Sequence, residues 1–214
     1  MRGGEAIGSS ALHARFERIN CSYGVRWQLA RGSSRHPWEV LESRRALFEV
    51  VAIGGGSLLL LGVIQRPTKD LDILALLEPS GMVTAQPIPE VLRQAAADVA
   101  ATLGLAPDWL NGGPTRLLEF DLPDGFSSRM SRRDFGGLIV HLAGRRDQIC
   151  FKFYAAVDQG PRSKHVQDLR KLAPSHEELL DAARWARTQD PSEGFRVICI
   201  EALTAFGVGP LDDV

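Results

Sequence analysis

Residues 54–72 read GGGSLLLLGVIQRPTKDLD. The stretch joins a triple glycine, an apolar run and two carboxylates, Asp70 and Asp72, that are separated by one residue. Side chains at positions i and i+2 of a strand point to the same face, so these acids repel each other unless a cation or a bound proton lies near them. The stretch therefore predicts a compensating group close to both acids.

The residues around this stretch predict a small sheet. VVAIGGG at residues 50–56 is typical of a short buried strand that ends at glycines, and residues 57–63 are typical of a helix or turn packed on that sheet. In DLDILALL, residues 70–77, acids alternate with apolar side chains before the run becomes fully apolar. This pattern indicates a strand with Asp70 and Asp72 on its outer face. The glycines and both carboxylates are therefore expected at one edge of the sheet.

The rest of the chain predicts an α/β (α+β) fold, in which helices pack around a small mixed sheet and the C-terminal part is helical. Helices are expected at residues 38–50, 90–105, 147–157 and 177–187, and further strands at residues 117–122 and 138–142. Proline, glycine and polar residues indicate loops at residues 78–89, 107–116 and 125–137.

Three regions are expected along the chain. Residues 1–36 are rich in glycine, serine and arginine and have weak periodicity, which predicts a poorly ordered N-terminal extension. This segment is either an upstream addition to the folded domain or a basic arm that contacts RNA. Residues 37–190 are expected to form the folded domain with its helical C-terminal part, and residues 191–214 a C-terminal tail.

The composition argues against several classes of protein. The chain has 214 residues, of which 44% are hydrophobic and 24% charged, as in an ordinary globular protein with a real core. Its net charge of -1 provides no global attraction to nucleic acid or membrane, and its longest apolar run is too short to cross a bilayer. Cys21, Cys150 and Cys199 have neither disulfide-framework nor zinc-site spacing, so we expect a cytoplasmic protein without membrane partners.

The carboxylates and the glycines are the parts of a nucleotide site. Asp70 and Asp72 on one side of a strand can chelate Mg²⁺, which prefers oxygen ligands and bridging phosphates and which offsets their repulsion. Backbone N–H groups at glycines approach a phosphate without interference from side chains, and Ser57 adds a hydroxyl. Arg66 and Lys69 add positive charge beside the phosphates. The stretch therefore predicts a site for Mg²⁺ and a nucleoside triphosphate (NTP).

GGGS followed by RPTKDLDIL resembles the signature of the nucleotidyltransferase superfamily, in the form that carries Arg-x-Thr-x-Asp-x-Asp. Within that superfamily the chain is most similar to the AbiEii-like and DUF6036 group, which includes toxin-type proteins. PDWLN at 107–111, RDQICFKFYAA at 146–156 and RSKHVQDL at 162–169 resemble further motifs of the group. The resemblance covers about residues 38–187.

By position, the resemblance implies which residues of this chain form the site. Asp70 and Asp72 are implied as metal ligands and, together with Lys152, as catalytic residues. The implied nucleotide-binding residues are Gly55, Gly56, Ser57, Arg66 and Thr68, and Asp168 is an auxiliary residue.

One departure from the superfamily pattern concerns a third carboxylate, which its active members commonly place on a neighbouring strand. Here the strand GLIVHLAGR offers His141 instead, and Glu119 and Asp121 are the other candidates. An altered catalytic arrangement, a one-metal site and lost activity are all compatible with this departure.

The sequence therefore leads to a hypothesis with one rival. The hypothesis is a Mg²⁺-dependent nucleotidyltransferase that moves a nucleoside monophosphate from an NTP to a tRNA or protein acceptor, as the toxin of a toxin–antitoxin pair with a cognate antitoxin. The rival is a degenerate domain that binds a nucleotide or a partner protein without turnover. The nearby cluster of Arg129, Arg132 and Arg133 is either a solvated loop or a contact for RNA.

Overall fold

The computed structural model describes residues 38–209, apart from the side chain of Glu39, and has the expected mixed α/β architecture. Its six-stranded sheet consists of β1 (Phe48–Ile53), β2 (Leu71–Glu78), β3 (Gly81–Val83), β4 (Leu110–Asn111), β5 (Ser131–Asp134) and β6 (Leu138–Leu142). The helices are α1 (Glu39–Ser43), α2 (Gly54–Leu60), α3 (Glu90–Leu103), α4 (Arg145–Gln159), α5 (Lys164–Leu172), α6 (His176–Gln189) and α7 (Glu193–Ala205). Short 3₁₀ helices span Gly113–Glu119 and Phe126–Arg129. The predicted extension, residues 1–36, lies outside the described residues.

The strand order brings the glycines and the carboxylates together. The order is β3-β2-β1-β6-β5, and the short strand β4 pairs with β2 beyond this path. Strand β1 is antiparallel to β2 and parallel to β6, while β4 is parallel to β2. The register sets Asp72 opposite Ile53 of β1 and opposite Asn111 of β4. Because α2 begins directly after Ile53, the glycines lie beside the carboxylate strand.

Helices cover both faces of the sheet. Since side chains alternate along a strand, Val51 and Ile53 of β1 enter one core and Val50 and Ala52 enter the other. The first core includes residues of α4, α5, α6 and α7, and the second includes residues of α1 and α3. Asp72, opposite Ile53, therefore faces the side of the sheet that carries α4 and α5. None of the helices in the described part is long and apolar enough to cross a bilayer.

Two predicted elements differ from the structure. The helix predicted over residues 38–50 ends at Ser43, because Arg45 has a left-handed φ of 53° and the chain then enters β1. Residues 117–122, predicted as a strand, begin instead within a 3₁₀ helix. That helix has Pro114 in its first turn, where a backbone N–H has no partner within the helix, so proline costs no hydrogen bond there.

The predicted loops and the predicted tail contain more regular structure than expected. Strands β3, β4 and β5 lie within the predicted loops at residues 78–89, 107–116 and 125–137. In the predicted tail, the Ser192 hydroxyl caps α7, and Cys199 and Leu203 of this helix are buried in the core. Most of the predicted tail therefore packs with the domain.

Candidate functional site

The two predicted metal ligands lie at the start of β2, where this strand meets α2 and β4. Asn111 Nδ2 donates a 3.3 Å hydrogen bond to Oδ1 of Asp72. Burial raises the pKa of Asp72 above its usual range and the negative charge of Asp70 raises it further, while Asn111 and the charges of Lys152 and Lys164 act in the opposite direction. The two acids therefore repel each other, as the sequence predicts, and positive charge beside them is favourable.

The triple glycine is required by its close packing against the carboxylate strand. Gly54 has a φ of +77°, and a Cβ atom at this position would lie 2.4 Å from Oδ2 of Asp72. A Cβ atom on Gly56 would lie 2.8 Å from the backbone oxygen of Asp70. A side chain at position 56 would meet the backbone of Asp70, and one at position 54 would displace the Asp72 carboxylate, so the glycines allow α2 to pack closely against the acids.

Ser57 lies inside this junction. Its side chain is fully buried, and its Oγ accepts a 2.9 Å hydrogen bond from Nε2 of Gln148 on α4. Oε1 of Gln148 in turn accepts a 3.2 Å bond from the N–H of Gly54. Ser57 and Gln148 thus support the glycine turn from within. The position of the Ser57 side chain gives no support to the prediction that its hydroxyl contacts a nucleotide.

A buried ionic network lies beside the carboxylate pair. Asp168 on α5 accepts two hydrogen bonds from Arg66, one from Nε to Oδ1 at 3.0 Å and one from Nη2 to Oδ2 at 2.6 Å. Nζ of Lys152 on α4 lies 2.9 Å from the same Oδ2. The side chains of Lys152 and Asp168 are 3% and 1% exposed, whereas that of Arg66 is 33% exposed. The network therefore connects α4, α5 and the loop before β2.

The pKa shifts follow from this burial and pairing. Burial lowers the pKa of Lys152, and the charge and hydrogen bond of Asp168 oppose that shift. Burial alone would raise the pKa of Asp168, but the hydrogen bonds from Arg66 and the charge of Lys152 outweigh it, so the pKa is lowered. The carboxylate of Asp168 is thus held in its ionised form by two cations.

Arg66 and Thr68 pack against the glycine turn. A Cβ atom on Gly55 would lie 3.1 Å from Cγ2 of Thr68 and 3.4 Å from Nη2 of Arg66. Thr68 is buried, and its Oγ1 donates a 3.3 Å hydrogen bond to the backbone oxygen of Asp70. The contacts described above thus join the predicted site residues into one connected cluster: Gly55, Gly56, Ser57, Arg66, Thr68, Asp70, Asp72 and Lys152.

The candidates for a third carboxylate do not complete a metal-binding group. His141 lies on β6, which pairs with β1, and its Nε2 is 2.6 Å from Oε2 of Glu49. Among the residues that the structure describes, no group of three or more His, Cys, Asp or Glu side chains could hold a metal ion. This finding covers the three candidates Glu119, Asp121 and His141, and it covers the auxiliary residue Asp168 as well.

The chemistry of the carboxylate pair fits Mg²⁺ that is shared with a phosphate chain. Proteins commonly hold Mg²⁺ through one or two carboxylates together with substrate phosphates and water, and less often in an all-protein cage. Asp70 and Asp72 supply two carboxylates, and the pKa of Asp72 is raised by burial first and by the negative charge of Asp70 second, so that a proton or cation beside this carboxylate is favourable. The residues present are therefore sufficient for a metal–nucleotide complex but not for a metal held by protein alone.

His165 is a further polar residue beside the ionic network. It lies three residues before Asp168 on α5, is half-buried, and has an Nδ1 atom that is buried without a hydrogen-bond partner among the described residues. Burial and the positive charges of Lys152 and Lys164 lower its pKa to about 4. The imidazole is therefore neutral at physiological pH.

The predicted basic cluster is largely engaged in local pairs. Arg129 donates two hydrogen bonds to Asp147, which is fully buried in the first turn of α4. Arg132 pairs with Asp134 at 2.8 Å, and Arg133 donates to the backbone oxygen of Arg132. Arg129 therefore fixes the start of α4, and RNA contact by this cluster stays a prediction.

Sequence reasoning missed Gln148, and it placed Asn111 in a predicted loop and in the PDWLN motif without a contact to Asp72. Gln148 stands four residues before Lys152, so the helical repeat places both side chains on one face of α4, and this spacing was an available signal. Asn111 carries no such signal, because β4 has two residues and its pairing with β2 depends on the tertiary fold.

Comparison of the chain with protein-family models, with curated proteins and with solved structures finds no match.

Proposed function

We propose that the protein binds a Mg²⁺–NTP complex where β1 ends and β2 begins, and that it transfers the nucleoside monophosphate to an acceptor hydroxyl, with release of pyrophosphate. The observation that carries the proposal is the buried Lys152–Asp168 pair next to the carboxylates Asp70 and Asp72. The resemblance of the GGGS and DLD motifs to the nucleotidyltransferase superfamily agrees with it.

The charge distribution supports a functional site over a purely structural one. Removing a charged group from water costs several kcal/mol per ion, and replacing a buried ion pair by apolar side chains is often neutral or stabilising. Lys152 and Asp168 are nevertheless both buried, and Lys152 is electrostatically coupled to Asp72. Buried ionisable groups with shifted pKa values that converge on one place are typical of functional sites.

Each residue has a role in this proposal. Asp70 and Asp72 would hold Mg²⁺ together with phosphate oxygens, and the ion would supply Lewis-acid polarisation of the α-phosphate. The Lys152 ammonium provides positive charge for the phosphates, while Asp168 and Arg66 hold it in place. The acceptor oxygen forms a bond to the α-phosphorus as the bond from that phosphorus to the bridging oxygen of the β-phosphate breaks. Pyrophosphate leaves with the electron pair of the broken bond, and the proton of the acceptor hydroxyl passes to water.

The acceptor is proposed from the resemblance. AbiEii-like proteins suggest a tRNA end or a protein side chain as acceptor, and a toxin role with a cognate antitoxin as partner. The use of NTP and the cysteine pattern agree with a cytoplasmic location.

A second candidate function has an observation in its favour. The strand position beside Asp72 carries the amide of Asn111, and the described residues contain no third metal-binding acid at the site. A domain that binds Mg²⁺–NTP, or a partner protein, without turnover would need no such acid.

Label transfer distinguishes the two functions. Purified protein is incubated with Mg²⁺, bulk RNA or cell lysate, and NTPs that are labelled either at the α- or at the γ-phosphate. A transferase attaches the α-label to a macromolecule and leaves the γ-label in pyrophosphate, and Asp70→Ala abolishes the labelling. Asp158→Ala, which removes an exposed carboxylate from α4, serves as the matched control. Transfer of the γ-label would indicate a kinase, and no transfer with intact NTP binding would favour the non-catalytic domain.

A further inference from the structure

Asn111 occupies the position on β4 directly beside Asp72. Strand β4 is parallel to β2, and its register pairs Asn111 with Asp72. A 2.6 Å hydrogen bond from the N–H of Leu71 to the backbone oxygen of Trp109 ties the two strands together. The Trp109 indole is fully buried and donates a 2.9 Å bond to the backbone oxygen of Ala96 on α3. The amide is therefore held by a strand that is anchored on both sides.

The orientation of the Asn111 amide follows from its two partners. The N–H of Gly113 donates a 3.1 Å hydrogen bond to Oδ1 of Asn111. This bond assigns the oxygen to the Gly113 side, so the NH₂ group faces Oδ1 of Asp72 at 3.3 Å. A flipped amide would place two oxygens together and two N–H donors together, which is unfavourable at both contacts. Asn111 thus presents a donor, which cannot ligate a cation, next to the metal-binding carboxylate.

We infer that Asn111 limits the carboxylate pair to one divalent cation. A two-metal site needs carboxylates that bridge ions about 3.5–4 Å apart and further acids for the second ion. Here the Asn111 amide occupies Oδ1 of Asp72, and among residues 38–209 no third His, Cys, Asp or Glu completes a metal-binding group. Oδ2 of Asp72, which lies beside Gly54, accepts no hydrogen bond from the described residues and is therefore the oxygen more open to a cation. The inference rests on the proposed function, because it concerns the same pair of acids.

The amide also positions the carboxylate. Its hydrogen bond stabilises the ionised carboxylate of Asp72 without adding a charge. The same bond fixes Oδ1, so that Oδ2 lies beside the glycine turn. An aspartate at position 111 would have nearly the same shape but would add a third carboxylate and remove the donor. Asn111→Asp is therefore predicted to create a second cation site and to destabilise the metal-free protein through repulsion between facing acids.

Counting bound Mn²⁺ tests this inference. The full chain is titrated with Mn²⁺, an EPR-visible substitute for Mg²⁺, in the presence of a non-hydrolysable α,β-methylene ATP, and free Mn²⁺ is measured at each step. We expect about one Mn²⁺ per chain in the wild type and about two in Asn111→Asp. Gln167→Glu makes the same amide-to-acid change at an exposed position of α5 and should keep the wild-type number. Thermal unfolding should show a lowered Tm for metal-free Asn111→Asp that Mn²⁺ restores.

The possible results separate this inference from the proposed function. Two ions per chain in the wild type would overturn the inference, and this result needs no variant. One ion in a folded Asn111→Asp would also overturn it, because the amide would then not be what excludes the second ion. No bound ion in the wild type would remove the proposed metal–nucleotide site itself. One ion in the wild type that is lost in Asp72→Asn would locate the counted ion at this carboxylate.

Discussion

Replacing Asp168 by asparagine removes the anion that holds two cations at the site. The carboxylate accepts hydrogen bonds of 3.0 and 2.6 Å from Arg66 and lies 2.9 Å from Nζ of Lys152. Breaking a buried ion pair by removing one partner costs about 3–5 kcal/mol, because the remaining charge stays buried and unpaired. Arg66 is 33% exposed, so water screens its share and most of the loss arises at Lys152. We expect Asp168→Asn to lower the free energy of unfolding by about 3–4 kcal/mol.

The matched variant Lys152→Met should cost much less. It leaves the pair of Asp168 and Arg66 intact and replaces the buried ammonium by an apolar side chain of similar length. The loss of one charged hydrogen bond, about 1.5–3 kcal/mol, is partly offset because no lysine charge has to be buried. When Lys152→Met is already present, Asp168→Asn should lower the free energy of unfolding by about 1–3 kcal/mol less than it does in the wild type.

Urea unfolding followed by far-UV circular dichroism measures these differences, provided that the slope with urea concentration is the same in all four proteins. Equal losses in the two single variants, or a double variant whose loss is the sum of the single losses, would refute the assigned network.

The same network predicts how stability depends on pH. Burial alone would raise the pKa of Asp168, but the hydrogen bonds from Arg66 and the charge of Lys152 outweigh burial, so the pKa is lowered in the folded protein. Its contribution is therefore fully present above the ordinary carboxyl pKa of about 4 and is lost as the pH falls through the lower folded value. Asp168→Asn should remove this part of the acid dependence.

Three further predictions concern the residues around the site. Gly54→Ala should lower the free energy of unfolding by more than about 2 kcal/mol, since it adds backbone strain and a Cβ atom 2.4 Å from the Asp72 carboxylate. Gly62→Ala has a similar φ of +74° and open space, so it should cost only about 1 kcal/mol, and equal losses in urea unfolding would contradict the packing argument. Ser57→Ala should cost about 1–2 kcal/mol because a buried amide loses its acceptor, with unchanged Mg²⁺–ATP affinity by calorimetry. If Ser57→Ala instead kept the stability of the wild type and weakened nucleotide binding, the result would indicate a direct contact between the Ser57 hydroxyl and a phosphate. NMR titration of His165 should give a midpoint near pH 4, and a midpoint of about 6 or more would show that its burial and cationic surroundings are wrongly described.

The sequence predicted the elements whose signal is local. The alternation in DLDILALL predicts β2 correctly, and the apolar run before the glycines predicts β1. Helix α3 ends before Gly104, which has the left-handed backbone typical of a helix C-terminus. The glycines and the acids do lie together, where β1 ends and β2 begins, because a strand, a short helix and an antiparallel strand leave little freedom in between.

The elements that sequence reasoning missed depend on distant partners. Strand β4 has only two residues and forms because it pairs with β2. The local sequence PDWLN therefore could not predict that Asn111 lies beside Asp72. The apolar residues after Arg116 suggested a strand, since a run of this length does not distinguish a strand from a short helix. The place of Ser57 after the glycines predicts a nucleotide contact, which stays a prediction, but its burial against Gln148 depends on a distant helix and has no local signal.

Calorimetric titration with Mg²⁺–ATP, repeated with the other NTPs, tests the central claim most directly. We predict that the wild type binds an NTP only when Mg²⁺ is present, and that Asp70→Asn and Asp72→Asn each weaken this binding about tenfold or more. Both variants should stay folded, and their Tm without metal should equal or slightly exceed that of the wild type, because the repulsion that helps raise the pKa of Asp72 is removed. Identical Mg²⁺–NTP affinity in the wild type and in both variants would contradict the assignment of these carboxylates to a metal–nucleotide site.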